Sequence, residues 1–242
     1  MNLLVAEKIK KTFDEKLFLN IERLEIRKGQ INGFLGRNGA GKSTTIKIIM
    51  GILPKDDGNL LFENQEILFD DQNFKLQVGY CPDYPAVFEN LTMVEHFEFI
   101  AYLYKVRKDE SFVEKIHTYI EEFELTPYKE MKLKQLSKGN RQKVAIISSV
   151  LHEPKLLIYD EPTLGLDPFA LKQFKRFMQH YVKRGGTVFL SSHALDIITE
   201  VADNVTLIHE GNVIGQNIRI DDVIAKGTDL EAFMLESIKG VG

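Results

Sequence analysis

The chain has 242 residues, of which 44% are hydrophobic and 27% are charged, and this composition predicts a globular protein of one or two domains with a sizeable core. A formal net charge of -4 disfavours a general electrostatic attraction to nucleic acid, so we expect no nucleic-acid partner. The single cysteine, Cys81, excludes an intramolecular disulfide, and no apolar run approaches the ~20 residues that span a bilayer.

Short apolar runs alternate with helical patterns along the chain. In chain order, the strand-like runs cover residues 17–26, 31–35, 156–159, 187–191 and 205–209. This alternation predicts an α/β fold with a largely parallel sheet. The prediction includes an antiparallel β portion near the N-terminus.

The stretch from residue 93 to residue 151 has a different character, because it contains helical patterns and no convincing strand. These patterns are MVEHFEFIAYLYK, SFVEKIHTYIEEFE and RQKVAIISSVLH. We therefore predict a helical subdomain over residues 93–151, inserted into an α/β core made of residues 1–92 and 152–220.

The C-terminal part carries one hairpin signal and one helical signal. The sequence VTLIHEGNVIGQ places Gly211 between two apolar runs, so this glycine is expected in the turn of a β-hairpin. Residues 221–242 are predicted to form a helical tail.

The segment GRNGAGKST, residues 36–44, is the strongest functional signal. It follows the apolar run INGFL and precedes a helical run, which is the context that a phosphate-binding loop requires. Its glycines let backbone amides point toward phosphate oxygens, Lys42 would reach the β- and γ-phosphates, and the Ser43 hydroxyl would coordinate Mg²⁺. The predicted nucleotide contacts are Asn38, Gly39, Ala40, Gly41, Lys42, Ser43 and Thr44.

Two later apolar runs end in polar residues. LLIYDEP contains Asp160 and Glu161, and in a phosphate-loop protein the first would hold Mg²⁺ while the second would polarise the attacking water. The alternative interpretation is a strand end that merely reaches solvent. TVFLSSH ends in His193, whose neutral imidazole would contact a γ-phosphate or orient the water.

The segment LSKGNRQKV, residues 136–144, has two interpretations. Ser137 is a good N-cap for the apolar helix that follows, because its hydroxyl can accept from an amide of the first turn. A helix N-terminus with a serine beside it is also a suitable clamp for an anion from another molecule.

Taken together, these segments resemble the nucleotide-binding subunit of an ATP-binding cassette (ABC) transporter over nearly the whole chain. Residues 36–44 are similar to the Walker A motif, 136–140 to the signature usually written LSGGQ, and 156–162 to Walker B. GLD, residues 165–167, is similar to the D-loop, and His193 to the switch histidine.

The resemblance assigns one more contact and includes two departures. Phe13 stands where the family has an aromatic residue that stacks on adenine. Asp83 stands in place of the Q-loop glutamine; it can still face Mg²⁺ or its water, but it cannot donate as an amide does. The signature keeps its serine and Gly139, while Lys138 and Asn140 replace a glycine and a glutamine.

The resemblance implies a single ABC ATPase domain over residues 1–242 with a phosphate-loop NTPase core, which hydrolyses ATP with Mg²⁺. Two such domains would enclose two ATP molecules head to tail. Ser137, Gly139 and Asn140 of one subunit would then face the ATP held by the other, and Asp167 is a further expected nucleotide contact. A homodimer is favoured, and a heterodimer is the alternative.

The resemblance also implies an integral membrane permease as partner. The subunit would be cytoplasmic and peripheral on the inner face of the cell membrane, with Tyr84 and Phe88 offering an aromatic surface to the permease. The alternative for these two rings is ordinary packing between lobes, where aromatic residues are common. YCPDYP and LSKGNRQK are most similar to subfamilies with separate membrane subunits, often exporters. The alternative is a soluble ABC ATPase in DNA repair, translation or cofactor assembly, although the long coiled-coil insertion and second cassette of such relatives are missing here. The transported substrate stays open.

Overall fold

The computed structural model describes residues 1–163, 165–225, 227 and 229–239. The chain divides into two compact units. The first comprises Met1–Lys75 and Tyr181–Gly242, and the second comprises Leu76–His180. The predicted division into an α/β core and a helical insertion over residues 93–151 stays a prediction.

The first unit opens with strands, a helix and a small hairpin. These elements are β1 (Asn2–Phe13), β2 (Lys16–Arg27), β3 (Ile31–Leu35), α1 (Lys42–Ile49), β4 (Asp57–Phe62), β5 (Gln65–Glu66) and α2 (Gln72–Lys75).

The second unit is mainly helical. Its elements are β6 (Val78–Cys81), α3 (Met93–Leu103), α4 (Glu110–Glu122), α5 (Lys138–Ser148) and β7 (Leu156–Asp160), with 3₁₀ turns at Thr126–Tyr128 and Leu133–Gln135. The chain continues through α6 (Pro168–Lys183). The remaining elements, all in the first unit, are β8 (Thr187–Ser192), α7 (Leu195–Val201), β9 (Asn204–His209), β10 (Asn212–Arg219), α8 (Ile220–Ala225) and α9 (Leu230–Lys239).

Parallel and antiparallel strands occupy different parts of the fold. In the first unit β2, β1, β4 and β5 form an antiparallel sheet in that order, and β10, β9, β3 and β8 lie side by side with β3 parallel to both β8 and β9. In the second unit β6 pairs in parallel with β7. Strands β3, β7 and β8 are buried along their whole length, as parallel strands usually are. The predicted α/β fold, with parallel strands and an N-terminal antiparallel portion, is confirmed.

Three hairpins turn in the same way. Residues 14–15, 63–64 and 210–211 all have positive φ, which is the conformation of the two-residue turns that match the twist of the flanking strands. The predicted turn at Gly211 is therefore confirmed.

Most predicted elements are present, and the missed ones have a physical explanation. The five predicted runs correspond to β2, β3, β7, β8 and β9, and the three helical patterns to α3, α4 and α5. Strands β1, β4, β5 and β6 are absent from the predicted runs. In β1, Lys8 has a φ of 53° and the register with β4 shifts between Glu7 and Lys10, so a bulge interrupts the alternation that would identify a strand.

The predicted helical tail contains α8 and α9. Residues 226, 228 and 240–242 of that tail lie outside the described residues. Within the part of the chain that the structure describes, every helix is too short or too polar to cross a bilayer.

Candidate active site

The predicted phosphate loop lies at the carboxyl end of β3 and leads into α1. Gly39 and Gly41 have φ values of 82° and 109°, in the region that favours glycine. A Cβ on Gly41 would lie 2.5 Å from Cδ2 of Leu19, whereas nothing lies within 4 Å of a Cβ on Gly39. Gly41 is therefore required both for its backbone conformation and for close packing, and Gly39 for its conformation alone.

Lys42 opens α1, and its side chain turns back toward the loop. It is only 5% exposed, and its Nζ donates to the carbonyl of Gly36 at 2.7 Å and to that of Arg37 at 3.4 Å. A buried ammonium thus lies at a helix N-terminus, whose own partial charge is also positive. This combination favours the binding of a multivalent anion such as a phosphate chain.

The turn of the β9–β10 hairpin supports the loop. The amide of Gly211 donates to the carbonyl of Ala40 at 2.9 Å. A Cβ on Gly36 would lie 2.5 Å from the carbonyl oxygen of Ile208, so only glycine allows this approach. Sequence reasoning missed this support, because no local signal links Gly211 to residues so far back along the chain.

The other predicted nucleotide contacts of the first unit differ in exposure. Asn38 is exposed, while Ser43 and Thr44 are half-buried in the first turn of α1. Phe13 is 42% exposed at the end of β1, and its ring meets that of Phe18 edge to face at a centroid distance of 5.5 Å. Because Phe18 packs edge to face against the Phe13 ring, the exposed part of Phe13 is available for stacking of a base.

The structure brings His193 to the edge of the sheet where the phosphate loop begins. Ser192, the last residue of β8, pairs in parallel register with Leu35, the last residue of β3. His193 and Gly36 follow these paired residues directly. The imidazole is exposed, and the Ser192 hydroxyl accepts from the amide of Ala194 at 3.0 Å, which shapes the start of the turn toward α7.

In the second unit the predicted acidic pair lies at the end of a buried strand. All five residues of β7 are buried, Asp160 is 1% exposed, and Glu161 is 9% exposed. Glu161 has a φ of 47°, which is uncommon for a residue other than glycine. Several turn residues of this chain share this conformation, but Glu161 combines it with a buried carboxylate at the end of a buried strand, and that combination favours a chemical role.

Asp83 follows the strand next to this acidic pair. Cys81, the last residue of β6, pairs in parallel with Tyr159, so Asp160 at the end of β7 and Asp83 just beyond β6 follow this pair at the same edge. Burial raises the pKa of the Tyr80 phenol, and the charges of Asp160 and Asp83 raise it further. Both carboxylates therefore affect the Tyr80 phenol. Sequence reasoning did not single out Tyr80, although it lies three residues before Asp83 at the Q-loop position.

The signature segment caps α5. The Ser137 hydroxyl accepts from the amide of Asn140 at 3.1 Å, so the cap interpretation is confirmed, and its role toward a nucleotide stays a prediction. Ser137 is exposed, while Gly139 and Asn140 are half-buried. A Cβ on Gly139 would lie 2.6 Å from the carbonyl oxygen of Gly165, so glycine is needed where the predicted D-loop passes.

Asp167 also has a structural role. Its Oδ1 accepts from the amide of Ala170 at 2.8 Å in the first turn of α6, and this hydrogen bond lowers the pKa of Asp167. Contact of Asp167 with a nucleotide stays a prediction. Among the described residues, no three His, Cys, Asp or Glu side chains form a group that could hold a metal ion by themselves.

Fold and phosphate loop together define an ATP-binding cassette, and comparison with known families agrees. Residues 19–164 match the family model of the ABC transporter. Because this match covers more than half of the chain, the chain belongs to the ABC transporter family.

Individual relatives are ATP-binding proteins of transporters. The chain is 32% identical to the uncharacterized ABC transporter ATP-binding protein YhaQ of Bacillus subtilis, over 88% of this chain and 70% of YhaQ. It is 30% identical to the lantibiotic transport ATP-binding protein SrtF of Streptococcus pyogenes, over 88% and 89%. It is 33% identical to the bacitracin transport ATP-binding protein BcrA of Bacillus licheniformis, over 79% and 61%.

Solved structures with the same fold cover nearly the whole chain. An ATP-binding subunit of an ABC transporter superposes with a TM-score of 0.88 at 28% identity, over 98% of this chain and 99% of the other. CbiO1 of Clostridium perfringens, part of the ABC transporter complex cbiONQ, superposes with a TM-score of 0.79 at 26% identity, over 93% and 92%. The ABC ATPase fold is thereby confirmed.

Proposed function

We propose that the chain hydrolyses MgATP and drives transport through a separate membrane permease. The observation that carries this proposal is the phosphate loop, in which the buried ammonium of Lys42 lies against the carbonyl of Gly36 at the N-terminus of α1. Membership of the ABC transporter family supports the same activity.

Binding of ATP uses charge and stacking. In this proposal Lys42 neutralises the β- and γ-phosphates, while backbone amides of the loop donate to the remaining oxygens. Phe13 stacks on adenine, for which its 42% exposed ring is suited. The remaining loop contacts are Asn38, Gly39, Ala40, Gly41, Ser43 and Thr44.

Mg²⁺ would be held by hard oxygen ligands. The Ser43 hydroxyl and the Asp160 and Asp83 carboxylates are of the chemical type that this ion prefers, and Mg²⁺ typically takes one or two carboxylates together with waters and phosphate oxygens. The ion supplies neutralisation of charge on the phosphates. Asp83 can accept hydrogen bonds from a coordinated water, but it has no amide to donate.

Glu161 and His193 take the catalytic roles. The Glu161 carboxylate accepts a proton from the attacking water as general base, a contribution typically of ~10²–10⁴ in rate. His193 follows β8 at the edge where the loop begins, which suits contact with the γ-phosphate or the water.

We propose a head-to-tail dimer, with a homodimer favoured over a heterodimer. Ser137, Gly139 and Asn140 of each subunit would face the γ-phosphate held by the other, and Asp167 would contact the nucleotide near them. The exposed hydroxyl of Ser137 at the N-terminus of α5 supports this role, because a capped helix start also attracts an anion.

The permease would contact residues 84–90, which we call the contact segment. Tyr84 is 61% exposed and Phe88 is 47% exposed, so the segment offers aromatic surface to a partner. The names of SrtF and BcrA, which refer to transport of a lantibiotic and of bacitracin, support a transport role. We propose export as its direction and a position on the cytoplasmic face of the cell membrane.

The ATPase activity is tested on the purified chain with Lys42→Ala. This variant should lose ATP binding and turnover together, because the buried charge that neutralises the phosphates is gone. Lys47→Ala is the matched control, since Lys47 lies in the same helix with an exposed side chain. ATP affinity in Lys42→Ala equal to that of the parent would contradict the assignment of the loop.

The permease is tested separately by purifying the tagged chain from membranes in mild detergent. A multi-span membrane protein should co-purify with it in a fixed ratio. Recovery of the chain only in the soluble fraction, without a membrane partner, would favour a soluble ABC ATPase instead.

A further inference from the structure

His96 in α3 is a buried histidine with no part in the proposed hydrolysis. Its side chain is 0% exposed. Nε2 lies 3.0 Å from the hydroxyl of Ser148, the last residue of α5. Nδ1 accepts a long hydrogen bond, of 3.5 Å, from the amide of Phe88. One imidazole therefore joins the contact segment to the signature helix within the second unit.

The direction of these hydrogen bonds follows from Ser148. Its hydroxyl donates to the carbonyl of Val144 at 2.8 Å, so toward His96 it can only accept. Nε2 of His96 must then carry the proton, and Nδ1 is left to accept from Phe88. Because burial lowers the pKa of His96 to about 4, the imidazole keeps this neutral form at neutral pH.

A second connection runs from the same segment to the other end of α5. The carbonyl of Glu89 accepts from the amide of Lys134 at 2.9 Å, and its carboxylate pairs with Arg141 at 3.1 Å. Arg141 lies one turn after Ser137. The contact segment is thus held at the first turn of the signature helix by Glu89 and at its last residue through His96.

We propose that His96 is a positioning residue that ties the contact segment to α5, so that a displacement of Phe88 is passed to the signature residues at the start of that helix. This inference rests on the proposed function, in which a partner contacts the segment and Ser137 faces a nucleotide. The Phe88 ring, 47% exposed, also packs against the rings of His96 and Phe99 at centroid distances of 5.7 and 4.8 Å. A displacement of the Phe88 ring therefore also moves the Phe88 amide, which donates to His96.

The test measures hydrogen exchange of the Phe88 amide and of residues 137–143, in a Glu161→Gln background that retains ATP. Ser148→Ala removes the hydrogen bond between His96 and α5, and His96→Leu removes both hydrogen bonds of the imidazole. Either variant suffices if the other does not fold. Ser149→Ala is the matched control. Ser149 follows α5 directly and is also buried, and its hydroxyl donates to the carbonyl of Ile146 at 2.7 Å and lies 3.1 Å from the Tyr159 hydroxyl. Ser149→Ala therefore removes buried hydrogen bonds at the same place without touching those of His96.

Without nucleotide, exchange of the Phe88 amide should become roughly five- to tenfold faster in Ser148→Ala and His96→Leu, and it should be unchanged in Ser149→Ala. In the Glu161→Gln parent, addition of MgATP should slow hydrogen exchange at residues 137–143 and at the Phe88 amide. In Ser148→Ala the response at Phe88 should disappear while that at residues 137–143 persists.

Two results would overturn the inference, and they are distinguishable. If residues 137–143 respond to MgATP while Phe88 responds equally in Ser148→Ala and in its parent, His96 transmits nothing and only this inference is wrong. If residues 137–143 do not respond to MgATP in the parent, the proposed dimer itself is wrong, and the positioning role is wrong with it.

Discussion

Mild acid should destabilise this protein, because burial disfavours the protonated form of two histidines, His96 and His152. Burial lowers the pKa of each imidazole from 6.5 to about 4 in the folded chain. In the unfolded chain the same imidazoles take up a proton below pH 6.5, while the folded ones stay neutral down to about pH 4. The free energy of unfolding therefore decreases as the pH falls from 6.5 toward 4, and this contribution levels off below pH 4.

The magnitude can be worked out for His96, which is fully buried. At pH 5 its imidazole is about 97% protonated in the unfolded chain and about 10% protonated in the folded one, given the two pKa values. Integrating the difference in bound protons from pH 7 to pH 5 gives about 2 kcal/mol of lost stability. This is a substantial part of the roughly 5–15 kcal/mol that stabilises a typical domain.

Urea unfolding followed by circular dichroism at pH 7, 6 and 5 measures this loss. His96→Gln removes the titrating group but keeps a polar side chain of similar length, so its stability should fall by about 2 kcal/mol less than that of the parent between pH 7 and pH 5. The exposed His117 of α4 supplies the control, and His117→Gln should follow the parent. Carboxylates titrate alike in all three proteins, so the comparison cancels them. Losses in parent and His96→Gln that agree within about 0.5 kcal/mol would refute the reasoning.

Three other predictions concern the catalytic carboxylate, the dimer and the buried thiol. Glu161→Gln should bind ATP but turn over ~10²–10⁴-fold more slowly and elute as a dimer with ATP in size-exclusion chromatography, and a monomer would contradict the head-to-tail arrangement. Lys42→Ala and Ser137→Arg should each be inactive and regain some ATPase activity when mixed, whereas parental activity of Ser137→Arg alone would leave Ser137 as a helix cap only. Burial raises the pKa of Cys81 to about 12, so iodoacetamide at pH 8 should label this thiol only when urea unfolds the chain. Mass spectrometry detects the label, and rapid labelling of the folded chain would contradict the prediction.

The sequence by itself determined the motifs of the site, because their chemistry depends on short spacings. Glycines and a lysine within nine residues, placed between an apolar run and a helical run, suffice to identify a phosphate loop. Ser137 could likewise be recognised as a helix cap, since capping involves an amide only three residues away. Buried parallel strands such as β3, β7 and β8 were predictable because each is a short, mainly apolar segment that stands between helical patterns.

Only the tertiary structure decided how distant segments meet. Nothing local in β1 compensates for the bulge at Lys8, so the strand is defined by pairing with β2 and β4. The support of Ala40 by Gly211, and the register that aligns Ser192 with Leu35, join residues more than 150 positions apart. His96 has the pattern of an ordinary helical residue, and its hydrogen bonds to Phe88 and Ser148 form only because α3 and α5 pack together. Periodicity and capping are short-range effects that neighbouring residues encode, whereas pairing register and buried hydrogen bonds depend on packing the whole chain together.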